Sequence, residues 1–208
     1  MVLDADNEYG DQKNIVHLLH SYERPGAQAI FFEDQISPKR CGHIAGKELL
    51  STAKMEANIR AAAAERLDPR TFLIARTDAR EVYDLDEAVR RGDRYLKAGA
   101  DGLFIEAPLN VDEMEQITRE LPTIHLANML EGGRTPLLSP AELDQMGFRI
   151  VIYGISMMMH AVKTMQAVLQ DIAVGDFKLR GHRIGFEEFK DIVGMPYWSE
   201  IEDRYRSE

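Results

Sequence analysis

Short runs of consecutive apolar residues recur along the chain, and stretches with helical spacing separate them. An uninterrupted apolar run is typical of a strand that is buried on both faces, as in a parallel sheet. The six runs are "MVLDAD", "GAQAIFFE", "TFLIARTD", "GADGLFIE", "TIHLAN" and "RIVIYG", which begin at residues 1, 26, 71, 99, 123 and 149. Strands and helices that alternate in this way predict a parallel α/β fold.

The intervening segments carry helix signals of several kinds. Ile15, Leu18, Leu19 and Tyr22 have the spacing of one helix face. Residues 47–66 are rich in strong helix formers, and residues 84–98 end at Gly99, which is suited to a C-cap. Further helices are predicted over 110–122, 139–148, 156–174 and 186–194, the first two opening with the capping residues Asn110 and Ser139.

Polar residues follow most of the predicted strands. In a barrel of strand–helix units, catalytic residues lie where the strands end. Asp4 and Asp6 are two apart, so we expect their side chains to share one face of a strand. Their oxygen atoms, together with Glu33 from the next strand, are the ligands that Mg²⁺ or Mn²⁺ prefers. The other residues at strand ends are Asp34, Arg76, Asp78, Glu106 and Asn128.

The single cysteine, Cys41, lies among cations in the sequence "PKRCGH". A free cysteine is often a small buried hydrophobe, whereas neighbouring positive charge favours a reactive thiolate. Beside a metal site we favour the second interpretation, with Cys41 exchanging a proton at carbon. Gly42 would let the loop move. His43 is either a solvated loop histidine or a site residue, and His125 is interpreted as a core histidine.

Composition narrows the class of protein. The 208 residues suit one domain, and a net charge of −10 argues against binding to nucleic acid. One cysteine cannot form an internal disulfide and fits a reducing compartment. The sequence has neither an apolar run near 18 residues nor a signal-peptide pattern, so we expect no membrane partner and a cytoplasmic protein. The arginines of "VRRGDR" are expected on a solvated helix face.

Five ordered motifs resemble the isocitrate lyase and phosphoenolpyruvate mutase superfamily. They are "DADNEYG", "FFEDQISPKRCGHIAGK", "LIARTDA", "GADGLFIEAP" and "LANMLEGGRTPLLSPAEL". The sequence looks most like the group that includes 2-methylisocitrate lyase, dimethylmalate lyase, oxaloacetate decarboxylase and carboxyphosphonoenolpyruvate mutase. This resemblance implies a (β/α)₈ barrel fold. It also implies an enzyme that requires Mg²⁺ and whose reaction passes through an enolate.

The resemblance also implies roles for individual residues. Asp4 and Asp6 hold the metal, with Glu33 in its water shell. The substrate is bound by Gly42, Arg76, Glu106 and Asn128. Cys41 donates a proton, assisted by Lys39 and His43, and its presence favours carbon–carbon cleavage over chemistry at phosphorus. Residues 155–208 form a helical segment that is exchanged between subunits, which implies a homodimer or homotetramer.

Three departures from the family pattern stand out. Glu8 takes the place of a glycine and could perturb the metal site, and Met159 takes the place of an arginine, which favours a smaller or less charged substrate. Family members also begin with two further strand–helix units. We therefore expect residues 1–208 to be one partial barrel domain from a longer protein.

The leading hypothesis is a Mg²⁺-dependent carbon–carbon lyase that cleaves a 2-hydroxy di- or tricarboxylate to an α-keto acid. The alternatives are an oxaloacetate decarboxylase, a phosphonomutase of the carboxyphosphonoenolpyruvate type and, from another class, an inactive remnant. The sequence does not identify the substrate carboxylate. Substrate choice depends on the loop around Cys41 and on residues 130–135.

Overall fold

The computed structural model describes residues 1–7, 10–176, 178, 181 and 183–206. Glu8, for which we expected an effect on the metal site, lies outside the described residues. The described chain divides into two compact units, Met1–Ser156 and Met157–Glu208. Within the described ranges, no helix has the length and apolar character needed to cross a bilayer.

The first unit is built on a parallel sheet whose described strands follow one another in chain order. Each strand pairs in parallel with the next, and no pairing joins the last described strand to the first. The six strands agree with the six predicted runs. They are β1 (Val2–Asp4), β2 (Ala29–Glu33), β3 (Phe72–Thr77), β4 (Gly102–Ile105), β5 (Ile124–Asn128) and β6 (Phe148–Ile152).

Helices connect these strands. They are α1 (Gln12–Glu23), α2 (Thr52–Glu65), α3 (Ala79–Val82), α4 (Leu85–Ala98), α5 (Val111–Glu120) and α6 (Pro140–Met146). The sequence predicts these helices, except that the short α3 was not predicted. Gly99 ends α4 in the left-handed conformation, at φ 115°. Asn110 caps α5, and Ser139 forms a capping box with Glu142 at the start of α6.

The prediction of a helix over 47–66 is wrong in its first five residues. Leu49 forms an antiparallel bridge with Gln35, and Ile36 N donates to Glu48 O at 2.8 Å. These pairings hold the backbone extended, so α2 begins only after its N-cap Ser51. The segment between β2 and α2, residues 34–51, is called the cysteine loop below. The segment between β5 and α6, residues 129–139, is called the glycine loop.

Both faces of the sheet are buried, which explains the uninterrupted apolar runs. On one face Ile30 and Phe32 of β2 pack in a cluster with residues of α1, α2 and α4. On the other face Phe31 packs with Ile74 and Phe104 of the neighbouring strands. The register pairs Glu33 with Arg76 and Arg76 with Phe104, so the polar ends of β2 and β3 continue the second face.

The second unit consists of helices in its described residues, and these agree with the predicted helical segment. Helix α7 (Ser156–Val174) begins at the last residue of the first unit, and α8 (Phe186–Ile192) and α9 (Met195–Tyr205) follow. Many of their apolar side chains are exposed: Met157 is 82% exposed and Phe186 is 73% exposed. Met159, at the position of the expected arginine, lies in α7.

Candidate active site

One pocket of about 300 Å³ collects most of the predicted site residues at the carboxyl ends of the strands. Strand ends and the cysteine loop supply its polar wall, and Phe31 and Phe104 contribute to an apolar wall. The predicted residues that line it are Asp4, Lys39, Cys41, Gly42, His43, Arg76, Glu106 and Asn128. The pocket therefore joins residues that lie more than a hundred positions apart in the sequence.

A larger groove of about 870 Å³ lies elsewhere. It is lined by Thr123 and Ile124 at the start of β5, by Gly147 and Arg149 around the start of β6, and by parts of α5 and α6. It is thus at the amino ends of the strands, where barrels of this class do not place their chemistry. The smaller pocket is the better candidate for an active site.

Arg76 is the central cation of the pocket. Its guanidinium forms a two-point contact with Asp78, with Nε–Oδ2 at 2.9 Å and Nη2–Oδ1 at 3.1 Å. Nη1 lies 3.0 Å from Glu33 Oε2, and Nη2 lies 3.5 Å from Glu106 Oε2. The guanidinium also lies 5.1 Å from the centre of the Phe104 ring. Three carboxylates thus fix one planar cation in position.

Glu33 is buried, and neither carboxylate oxygen accepts a hydrogen bond within the described residues. Burial raises the pKa of Glu33 to about 7, against the opposing effect of Arg76. Lys39 Nζ lies 3.6 Å from Glu33 Oε1 and 2.6 Å from Asp6 Oδ1. Lys39 therefore lies between two of the three predicted metal ligands.

The expectation that Asp4 and Asp6 share one face of a strand is wrong. Strand β1 ends at Asp4, and Asp6 has a left-handed backbone with φ 55°. A turn brings the two residues together instead, since Asp6 N donates to Asp4 Oδ1 at 2.8 Å. Among the described residues, no group of three His, Cys, Asp or Glu side chains is arranged to enclose a metal ion. Asp6 contacts Asp4 directly. It is linked to Glu33 through Lys39, but the described residues form no closed three-ligand site.

The cations that flank Cys41 in the sequence point to other partners. Lys39 contacts Asp6, and Arg40 Nη1 donates to Ala45 O at 3.3 Å. Cys41 itself is free and exposed, and it lines the pocket. Its assignment to the site stays a prediction.

His43 lines the pocket, and its side chain is only 8% exposed. Its Nε2 lies 3.2 Å from Glu106 Oε1, and its Nδ1 accepts a hydrogen bond from Arg134 N at 3.0 Å. An acceptor nitrogen carries no proton, so this contact assigns the neutral ring proton to Nε2, facing Glu106. Burial would raise the pKa of Glu106, but His43 and Arg76 outweigh it and lower the pKa.

A family model, described as phosphoenolpyruvate phosphomutase, matches residues 1–173. The chain belongs to the phosphoenolpyruvate phosphomutase family. Solved structures agree with this assignment. A 2,3-dimethylmalate lyase, a member of the PEP mutase/isocitrate lyase superfamily, has a TM-score of 0.90 and 30% identity, over 99% of this chain and 69% of that chain. A phosphonopyruvate hydrolase, in complex with oxalate and Mg²⁺, has a TM-score of 0.82 and 27% identity, over 99% of this chain and 72% of that chain.

Curated relatives within the family have several activities. 2,3-Dimethylmalate lyase of Eubacterium barkeri is 39% identical over 99% of this chain and 72% of its own length. Carboxyvinyl-carboxyphosphonate phosphorylmutase of Arabidopsis thaliana is 35% identical over 99% of this chain and 62% of its own length. 2-Methylisocitrate lyase of Aeropyrum pernix is 38% identical over 83% of this chain and 55% of its own length. The chain therefore spans between about half and three quarters of the length of these relatives.

Two charged residues beside the pocket, the buried Lys47 and the largely covered Glu81, were not predicted from the sequence. Lys47 has a fully buried side chain, and its Nζ donates to Gly42 O and lies 3.5 Å from Asp78 Oδ1. Glu81 of α3 lies 3.4 Å from the same ammonium. Lys47 was assigned to a helix that does not form there, and its partners come from a distant segment. The one signal was that Lys47 ends the motif that contains Cys41.

Two further predictions concern residues outside the pocket. His125 is a core histidine, as predicted, since it is 1% exposed and its Nε2 lies 2.7 Å from Leu121 O. The solvated position expected for the arginines of "VRRGDR" is wrong for Arg91. Its side chain is buried, and Nη1 donates to Asp34 Oδ2 at 2.9 Å. Burial raises the pKa of Asp34, which also accepts from Thr77 and Tyr95.

Proposed function

We propose that this chain carries the site of a Mg²⁺-dependent carbon–carbon lyase that cleaves a 2-hydroxy di- or tricarboxylate to an α-keto acid. The observation that carries the proposal is the convergence of Arg76, Glu106 and Asn128 with the Cys41–His43 segment in one pocket. Relatives named as lyases of 2,3-dimethylmalate and 2-methylisocitrate support the reaction class.

The carboxylates Asp4 and Asp6 would hold Mg²⁺, and Glu33 would contact it through water. Their oxygen atoms are the donors that this ion prefers, and the buried oxygens of Glu33 without hydrogen bonds are an observation that favours such a group. Bound Mg²⁺ supplies Lewis-acid polarisation of a substrate oxygen. Lys39 now contacts Asp6 and Glu33, so we expect its ammonium to move when the ion binds.

The protein residues supply the remaining chemistry. Arg76 is held by three carboxylates and presents a fixed cation to the negative charge that develops on the substrate. The substrate hydroxyl would lose its proton to solvent water, its carbon would become the keto carbon, and the broken carbon–carbon bond would leave an electron pair on the departing carbon. Cys41 would then donate its thiol proton to that carbon and regain a proton from solvent, so that no proton is gained or lost overall. His43 keeps its Nε2 proton facing Glu106, so we assign it to orienting the pocket wall.

Three other readings predict different products. Oxaloacetate decarboxylation would yield pyruvate and carbon dioxide, and it needs no thiol of this kind. A phosphonomutase of the carboxyphosphonoenolpyruvate type is supported by one relative, but the exposed Cys41 in the pocket favours cleavage at carbon. An inactive remnant would yield no product from any of these substrates.

The test is product analysis by proton NMR of purified chain with Mg²⁺ and each of 2,3-dimethylmalate, 2-methylisocitrate and oxaloacetate. We expect one hydroxy acid to yield an α-keto acid and, in equal amount, the carboxylate that contains the departing carbon. A Cys41→Ser variant is the control for contaminating enzyme. Formation of pyruvate from oxaloacetate, with neither hydroxy acid cleaved, would select the decarboxylase. Absence of turnover with all three substrates in folded protein would contradict the proposed lyase activity.

The assembly is also a proposal, and it concerns residues 155–208. Their helices expose large apolar side chains, including Leu169 and Trp198. An accumulation of large exposed apolar side chains in one segment is typical of a protein–protein interface. We propose a homodimer or homotetramer in which this segment contacts a neighbouring subunit. Light scattering after size exclusion tests it, and a monomer at micromolar concentration would contradict it.

A further inference from the structure

One carboxylate, Glu81, links the two loops that border the pocket. It lies on α3, directly after β3, and its side chain is 9% exposed. Oε2 lies 3.4 Å from Lys47 Nζ of the cysteine loop, and Oε1 lies 3.5 Å from Arg134 Nη2 of the glycine loop. Each oxygen of one carboxylate thus faces a cation from a different loop.

The contact with Lys47 connects Glu81 to the backbone next to Cys41. The Lys47 ammonium is completely buried and donates to the carbonyl of Gly42, the residue that follows Cys41. A buried ammonium is stable only where anions compensate its charge, and here the anions are Asp78 and Glu81. Glu81 therefore helps to fix the position of the Gly42 carbonyl and, through it, the Cys41 segment.

The contact with Arg134 connects Glu81 to His43. The backbone N–H of Arg134 donates to His43 Nδ1, while its guanidinium faces Glu81. The fit between the loops is close, because a Cβ atom on Gly133 would lie 2.9 Å from the His43 ring. The glycine loop thus holds the imidazole that faces Glu106, and Glu81 holds the glycine loop.

We propose that Glu81 is a positioning residue that joins the cysteine loop to the glycine loop and so sets the arrangement of Cys41, Gly42 and His43 at the pocket. Its importance for catalysis rests on the proposed function, but the joining of the loops does not. Glu81 touches none of the residues that we assign to proton transfer, and it acts through Lys47 and Arg134.

The test uses Cys41 as a reporter, since it is the only cysteine in the sequence. Cys41 is exposed, so its reaction rate with a chromogenic disulfide reagent reports changes in the position and the charged surroundings of its thiol. We expect Glu81→Gln to raise this rate about fivefold, within the range of couplings between neighbouring residues. We also expect weaker protection of Cys41 by oxalate with Mg²⁺. Glu115→Gln, which removes an exposed carboxylate of α5, is the matched control and should match wild type.

A second variant keeps the test decisive if Glu81→Gln fails to fold. Arg134 is 39% exposed, so Arg134→Gln removes one partner of Glu81 without leaving a fully buried charge. We expect it to raise the labelling rate, and the double variant to add less than the sum of the two effects. Unchanged labelling and unchanged oxalate protection in folded Glu81→Gln and Arg134→Gln would overturn the proposal. Altered labelling in a chain without lyase activity would uphold the link and reject only the proposed function.

Discussion

Arg76 Nη1 lies 3.0 Å from Glu33 Oε2, and both side chains are buried at the carboxyl edge of the sheet. The register of β2 and β3 creates this contact, since Glu33 and Arg76 are paired residues on adjacent strands. Asp78 and Glu106 complete the surroundings of the guanidinium. One buried cation thus faces three buried carboxylates and compensates their charge. Removing it should therefore lower the free energy of unfolding.

Replacing Arg76 by methionine should destabilise the fold strongly. The change leaves buried carboxylates without their cation, and breaking such a group costs about 3 kcal/mol or more in the free energy of unfolding. Urea denaturation measures this. Arg90→Met, which removes an exposed pair with Glu87, is the control and should cost less than about 1 kcal/mol. Equal stability of Arg76→Met and wild type would contradict the role of Arg76.

Glu33 should make stability fall as the pH rises. Its folded pKa is about 7, against an ordinary value of 4.5, so between these values the folded protein holds a proton that the unfolded chain releases. In metal-free protein the free energy of unfolding should therefore fall by roughly 3 kcal/mol across this window. Glu33→Gln should lack this fall in urea denaturation at several pH values. Parallel curves for the two proteins would show that Glu33 ionises normally.

Cys41→Ser should lose turnover and keep ligand binding. A serine hydroxyl is a far weaker acid than a thiol, so proton donation to the departing carbon should slow by a factor of about 100 or more. Because Cys41 is exposed and forms no disulfide, and serine is nearly the same size, oxalate affinity with Mg²⁺ should be unchanged. A serine variant with full activity would remove Cys41 from the mechanism.

Gly42→Ala should damage the pocket without affecting residues elsewhere. A Cβ at this position would lie 2.5 Å from Glu106 Cγ and 2.8 Å from Arg76 Nη2, so one of these side chains must shift. We expect oxalate affinity to fall about tenfold, which corresponds to about 1.4 kcal/mol. Gly185→Ala is the matched control, since its Cβ would meet no atom within 4 Å. Unchanged affinity in Gly42→Ala would place the ligand away from this wall.

Local patterns in the sequence predict most of the architecture. The runs that became β2 and β4 are apolar on both faces because both faces of the sheet are covered, and Gly99 and Ser139 end and begin helices by local backbone chemistry. The start of α2 was missed because helix propensity lost to the bridge between Leu49 and Gln35. The short helix α3 has no periodic pattern long enough to detect.

The polar part of the site was predicted less completely than the fold. Arg76 and Glu106 could be found because they follow apolar runs, and parallel strands bring their ends together. Lys47 and Arg91 could not be recognised as buried, because their counter-ions Glu81 and Asp34 come from other segments of the chain. Burial of a charge is decided by its tertiary partners, and a local charge pattern does not contain them.

The most direct test of the central claim is calorimetric titration of the chain with oxalate, with and without Mg²⁺. Oxalate is planar and doubly charged, and it imitates the enolate of an α-keto acid without requiring the true substrate. We predict binding that depends on Mg²⁺ and is strongly weakened in a folded Arg76→Lys variant, because lysine cannot reproduce the planar contact of arginine. Failure of well-folded wild-type protein to bind oxalate with Mg²⁺ present would contradict the account.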